Sequence, residues 1–223
     1  TEEKKMIAIG SDHGGYDLKE ILLVLLLTVP TVLIALTCHE YAHGYVAYKL
    51  GDPTAKNMGR MSLDPTRHLD LMGIVCFVLF GWGWAKPVMT NSRNLKNPRR
   101  DDLLISIAGP VANLIVAFVF YAVYFASKVL GNDSVILLNI LSTIVSINIS
   151  FALFNLLPVY PLDGYHVLTS IFPKLGFKFF AFMSRYGMWL LLALSYSGVL
   201  DYILTPAAIA IYDLFFNICL IFV

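Results

Sequence analysis

His39-Glu40-Tyr41-Ala42-His43 is an H-E-x-x-H sequence, and its residue types and spacing are those of a metal-dependent hydrolase. On a helix, residues four apart stand one turn above each other, so both imidazoles reach one ion. Glu40 then lies beside them, where a carboxylate takes a proton from an attacking water. Two histidines leave zinc one short of its usual three protein ligands, so a third donor has to come from elsewhere. A histidine six residues beyond His43 would complete one known pattern, but that position is Lys49. Asp64 is a carboxylate at a suitable distance along the chain, but it sits in a basic, polar loop. Asp163 is the better candidate, because it follows an apolar span and is flanked by Pro158, Pro161 and Gly164, which break a helix and turn the backbone. His166 is a weaker alternative, and His68 is expected to be a solvated loop histidine.

The elements that must position these groups are apolar. Of the 223 residues, 58% are hydrophobic and 14% charged, with mean hydropathy +0.72. Soluble domains carry about 25% charged residues. The expected fold class is therefore an all-α polytopic membrane protein. About five to six membrane segments are expected, with a re-entrant or β-like interfacial segment near 73–91. In that segment Trp82 and Trp84 suit the aromatic belt. Residues 84–91 would either anchor it or offer an edge strand to an extended peptide. Ionisable groups inside such helices are costly and mark function. A net charge of +1 gives no reason to expect a nucleic-acid partner. Cys38, Cys76 and Cys219 show no disulfide or zinc spacing and read as packing residues.

Charge sets orientation. Residues 52–102 are rich in Lys and Arg, 129–134 poor, 158–178 basic again through Lys174 and Lys178, and 198–201 carry only Asp201. Both basic stretches are expected on the cytoplasmic side. The first span then ends on that side and the third returns to it, which brings His43 and Asp163 to one face. The active site is thus expected toward the cytoplasmic side of a multi-pass cell-membrane protein.

HEYAH (39–43) paired with NLLPVYPLDG (155–164) resembles the site-2 protease family of intramembrane zinc metalloproteases. GDPTAKNMGRMSLDP (51–65), GWAKPV (83–88), KNPRRD (96–101) and AGPVAN (108–113) are similar to its compact bacterial branch, which lacks PDZ and CBS domains. The chain departs from that branch at MTNSRN (89–94) and at Leu71. The resemblance implies one zinc ion per chain, held by His39, His43 and Asp163, with Glu40 as catalytic acid/base. It also implies that Asn155 contacts substrate or the oxyanion. Asn113 is either a bond across a helix interface or a second contact of that kind. The implied reaction is hydrolysis of a peptide bond in or near a transmembrane helix of another membrane protein, as in regulated intramembrane proteolysis. An anti-sigma factor is the kind of substrate the family suggests. The alternative is a metal-ion transporter using His39, His43 and Asp163 as a transit site, but these ligands lie at one level and no inverted repeat is visible.

Residues 1–20 stand apart as a polar leader, fused or coincidental, with no independent fold; residues 21–223 form the membrane-embedded domain. MIAIGSDHGGYDLKE (6–20) resembles the N-terminus of ribose-5-phosphate isomerase B, opening on a strand. The remaining strands of that doubly wound fold have no counterpart, so no isomerase activity is expected. The leader lacks the apolar core of a signal peptide, and no cleavage is expected.

Overall fold

The computed structural model of the protein describes residues 13–80, 85–175 and 177–222. The strand expected at the start of the leader, and Trp82 and Trp84, lie outside these residues. Eight α-helices follow in the described chain: α1 His13–Lys49, α2 Thr54–Asn57, α3 Leu71–Phe80, α4 Pro98–Val129, α5 Val135–Asn155, α6 Asp163–Ile171, α7 Phe177–Tyr196 and α8 Val199–Leu220. Short 3-10 turns interrupt the loops at Pro65–Arg67, Ser92–Asn94 and Pro173–Leu175.

Among the described residues, four helices are long and apolar enough to cross a membrane: Leu25–Lys49 within α1, and α4, α5 and α8. The protein is an all-α membrane protein. Those four stand against the five to six membrane segments expected; the 20-residue α7, which carries Lys178 and Arg185, is not among them. The stretch expected to be re-entrant or β-like divides in two. Its first part is α3, ten residues long and so about 15 Å, half of what a bilayer core demands. Its second part is extended from Ala85. Among the described residues the only β-pairing is a single bridge between Leu69 and Ala85, supported by Lys86 N–H donating to His68 O at 2.8 Å.

α4 is the central element, packing against α1, α5, α6 and α8. It begins where Pro98 fills the first helical position, which needs no N–H. Asp101 reaches back to accept from Asn97 N–H at 2.9 Å. It ends at Gly131, whose φ of 72° a side chain would oppose. On one side, Ala117 of α4 meets Val145 and Ile149 of α5 and Phe215 of α8 in a buried apolar cluster. Nearer the loops, Ile105 of α4 packs on Ala47 of α1 and Leu95. These two contacts fix how α1 and α5 lie along α4, and so which residues meet between them.

Candidate metal centre

His39 and His43 stack one turn apart on α1, their rings edge to face with centroids 4.5 Å apart. His43 is six residues from the end of α1, about 9 Å along the axis. Asp163 is the first residue of α6. The loop before α6 is held closely on both sides. A Cβ on Gly164 would sit 2.2 Å from Leu156 O, and one on Gly187 of α7 would sit 2.5 Å from Tyr160 O. The far end of α6 is tied to α4, because Arg99 donates to Ser170 O and, at 3.0 Å, to Ile171 O. Cationic side chains suit such free helix C-terminal carbonyls.

Asp163 Oδ2 lies 3.0 Å from His39 Nε2 and 3.3 Å from His43 Nε2. The other nitrogen of each ring is already engaged. His39 Nδ1 is 2.7 Å from Asn113 Oδ1, and His43 Nδ1 is 2.7 Å from Ile105 O. Both partners are carbonyl oxygens, which only accept, so each Nδ1 carries a proton, and in the neutral ring each Nε2 presents a lone pair. Asp163 Oδ2 is buried and has no hydrogen-bond partner. Three lone pairs therefore converge, in a place where His39 is 3% and His43 8% exposed. They repel unless a metal ion or a proton lies among them. Zinc with ligand bonds of about 2.0–2.1 Å spaces its tetrahedral donors about 3.3 Å apart, so these three residues fit a zinc ion. Gly109 of α4 supplies the opening: a Cβ there would lie 2.5 Å from His43 Nε2 and 2.7 Å from His39 Nε2. Among the described residues this is the one group of three such side chains able to hold a metal.

Glu40 is 9% exposed, and its Oε2 accepts from Val88 N–H at 2.8 Å. The extended run after Ala85 thus crosses the glutamate of the H-E-x-x-H sequence. Asn113, fully buried, bonds His39, Ala35 O and Asn148. Asn155, half-buried at the end of α5, donates back to Phe151 O at 2.9 Å. The other carboxylate and histidine weighed as ligands lie elsewhere. Asp64 is exposed and caps its own turn, accepting from Thr66 N–H at 3.0 Å and from its hydroxyl at 2.8 Å. The Thr66 hydroxyl and amide hold the Asp64 carboxyl below its ordinary range. His166 faces Asp102 instead, at 3.8 Å.

His68 corrects an expectation. It is fully buried rather than solvated, with Nε2 2.8 Å from Ser62 O. The cause is the bridge described above, which folds residues 62–69 against the extended run after Ala85. Sequence reasoning also passed over Asn148 and Asp52, both fully buried. For Asn148 a signal existed, an amide in the middle of an apolar helix; Asp52 sits in a loop, where carboxylates attract no notice.

A zinc-fitting site on membrane-length helices defines a membrane-embedded metallopeptidase, and comparison with known proteins agrees. Residues 27–194 match the model of peptidase family M50; the chain belongs to that family and is a zinc metalloendopeptidase. It is 39% identical over 183 residues to "Putative zinc metalloprotease YwhC" of Bacillus subtilis, covering 80% of this chain and 84% of that one. Rip2 of Mycobacterium tuberculosis, given the same descriptive name, is 29% identical over 153 residues, 65% of this chain and 57% of its own. "Zinc metalloprotease MJ0392" of Methanocaldococcus jannaschii is 25% identical over 145 residues, 64% of this chain and 33% of its own. No solved structure matches the chain significantly.

Proposed function

We propose that the protein is an intramembrane endopeptidase that hydrolyses a peptide bond in or near a transmembrane helix of another membrane protein, in regulated intramembrane proteolysis. In this reading His39, His43 and Asp163 hold the zinc ion and Glu40 is the catalytic acid/base. The observation that carries it is the meeting of two Nε2 atoms, on a helix of membrane length beside Glu40, with an Asp163 oxygen that has no hydrogen-bond partner. Zinc, when bound, supplies a Lewis acid that polarises the scissile carbonyl and acidifies water. Glu40 takes the proton from the attacking water and delivers it to the leaving amine. Val88 N–H, bonded to Oε2, holds the carboxylate in place for both transfers.

A helical substrate hides its carbonyls in its own hydrogen bonds and has to unwind first. An extended run alternates its backbone groups between two edges. Lys86 and Val88 turn their N–H groups inward, to His68 O and Glu40. The opposite edge of residues 85–90 is the one with which an unwound substrate pairs. Asn155, at the end of α5, contacts the substrate there.

The protease domain in this proposal is residues 21–223, with 1–20 a leader to it. The Lys and Arg residues of 52–102 put the site toward the cytoplasm in a multi-pass topology, where His43 is close enough to the helix end for water to enter. The test is cleavage of a single-span membrane protein by the purified chain. Glu40→Gln lowers the rate by about 10²-fold or more, and a chelator abolishes it. A Glu40→Gln variant that cleaves like the parent would overturn the mechanism.

A further inference from the structure

Asn148 has no part in the chemistry above, although it is a fully buried amide in the middle of the apolar α5. Its Nδ2 donates to Ile144 O at 2.9 Å. Its Oδ1 accepts from Asn113 Nδ2 at 3.0 Å. Asn113 Nδ2 also donates to Ala35 O at 2.9 Å, and Asn113 Oδ1 faces His39 Nδ1 at 2.7 Å. Ala35 and both asparagines are 0% exposed.

We infer that Asn148 is a positioning residue for the metal centre, acting with Ala35 O through Asn113 to set which nitrogen of His39 faces Asp163. This rests on the zinc site proposed above. Each amide in the chain has only one orientation that leaves nothing unpaired. Ile144 O accepts only, so Asn148 turns its NH2 to it and its oxygen to Asn113. Asn113 then meets two acceptors, Asn148 Oδ1 and Ala35 O, and spends its NH2 on both. Its own oxygen is left for His39, whose Nδ1 has to be the donor. Nε2 therefore keeps its lone pair for a metal. A backbone carbonyl on α5 sets the tautomer of a histidine on α1, by way of α4. Such outer partners fix ring orientation and ligand basicity, and losing one typically costs 10–100-fold in metal affinity. Ala35 O still favours the same Asn113 orientation when Asn148 is replaced, so the lower end applies.

The experiment uses the full chain in detergent, with zinc affinity measured by chelator competition and the visible spectrum of the Co2+-loaded protein as a signature of ligand geometry. Asn148→Leu binds zinc about tenfold more weakly than the parent and has a shifted Co2+ spectrum. Asn139→Leu, exposed on the same helix, changes neither. A folded Asn148→Leu with the parent's affinity and spectrum would overturn the inference. Should that variant fail to fold, Asn148→Ala is read by the same two criteria. His39→Ala separates the two levels: it abolishes zinc binding if the site is correctly read, and zinc retained there would sink the site itself rather than the role of Asn148.

Discussion

Asp52 and Asp163 are both shielded from solvent, yet their surroundings are opposite. Asp52, after the end of α1, is 0% exposed and surrounded by donors. It accepts from Thr54 N–H at 3.1 Å, the Thr54 hydroxyl, Asn91 N–H at 2.6 Å and Asn94 Nδ2 at 2.7 Å. Asp163 instead points an oxygen at the Nε2 atoms of two histidines, from which it receives nothing while both rings are neutral. A buried carboxylate satisfied by neutral donors ties backbone together. One that faces other acceptors is stable only with a cation between them. The two regions share a task nonetheless. Asp52 fastens Asn91 and Asn94 to the end of α1, and so anchors the extended run whose Val88 N–H meets Glu40.

The sharpest way to break this contrast is to remove each carboxylate in turn. Asp163→Ala should lose the zinc, with metal content falling from one ion per chain toward none, while the fold survives because no hydrogen bond to Oδ2 is lost. Metal analysis and a thermal melt in detergent check both halves. Zinc retained at parental affinity would move the third ligand elsewhere.

Gly109→Ala probes the same region without replacing a ligand. The added methyl would stand 2.5–2.7 Å from the atoms of His39 and His43 that face Asp163, closer than carbon and nitrogen tolerate. Relieving such overpacking costs about 1–3 kcal/mol, which is roughly ten- to hundredfold in zinc affinity if it falls on the metal-bound form. Titration against a competing chelator reads it. An unchanged affinity would mean that α4 can move away from α1 at no cost.

What the sequence alone could reveal follows the same division. His39, Glu40 and His43 are legible because their geometry is internal to one helix and fixed by 3.6 residues per turn. Asp163 is legible as a candidate from the proline- and glycine-rich turn around it and from the parity of the spans. The bonds that orient the site are not legible. His39 to Asn113 spans 74 residues and Asn113 to Asn148 spans 35. Whether two amides on different helices meet depends on the rotation and register of each helix, which the packing of Ala117, Val145 and Ile149 decides. His68 was misread for a related reason. Its burial depends on the single bridge between Leu69 and Ala85, and nothing in the sequence around His68 marks it as a partner of that run.

The smallest effect is expected at Asp52, and it differs in kind from the others. Burial pushes the Asp52 carboxyl up, but the hydrogen bonds from Thr54, Asn91 and Asn94 outweigh it and hold the group below its ordinary range. A carboxylate whose pKa is depressed on folding contributes stability above its unfolded pKa of about 3.9, and that contribution fades as pH falls toward the folded value. Asp52→Asn offers an NH2 to groups that are themselves donors, and should cost about 2 kcal/mol at neutral pH. It should leave zinc affinity near that of the parent, because Asp52 bonds no ligand. Cleavage should fall further than zinc binding does, since the run that supplies Val88 N–H to Glu40 is loosened. Thermal melts from pH 7 down to pH 3 check the first part: the gap between parent and variant should begin to narrow below about pH 4 and go on narrowing as pH falls. A gap that stays constant to pH 3 would show that the carboxylate's charge is not what holds this loop.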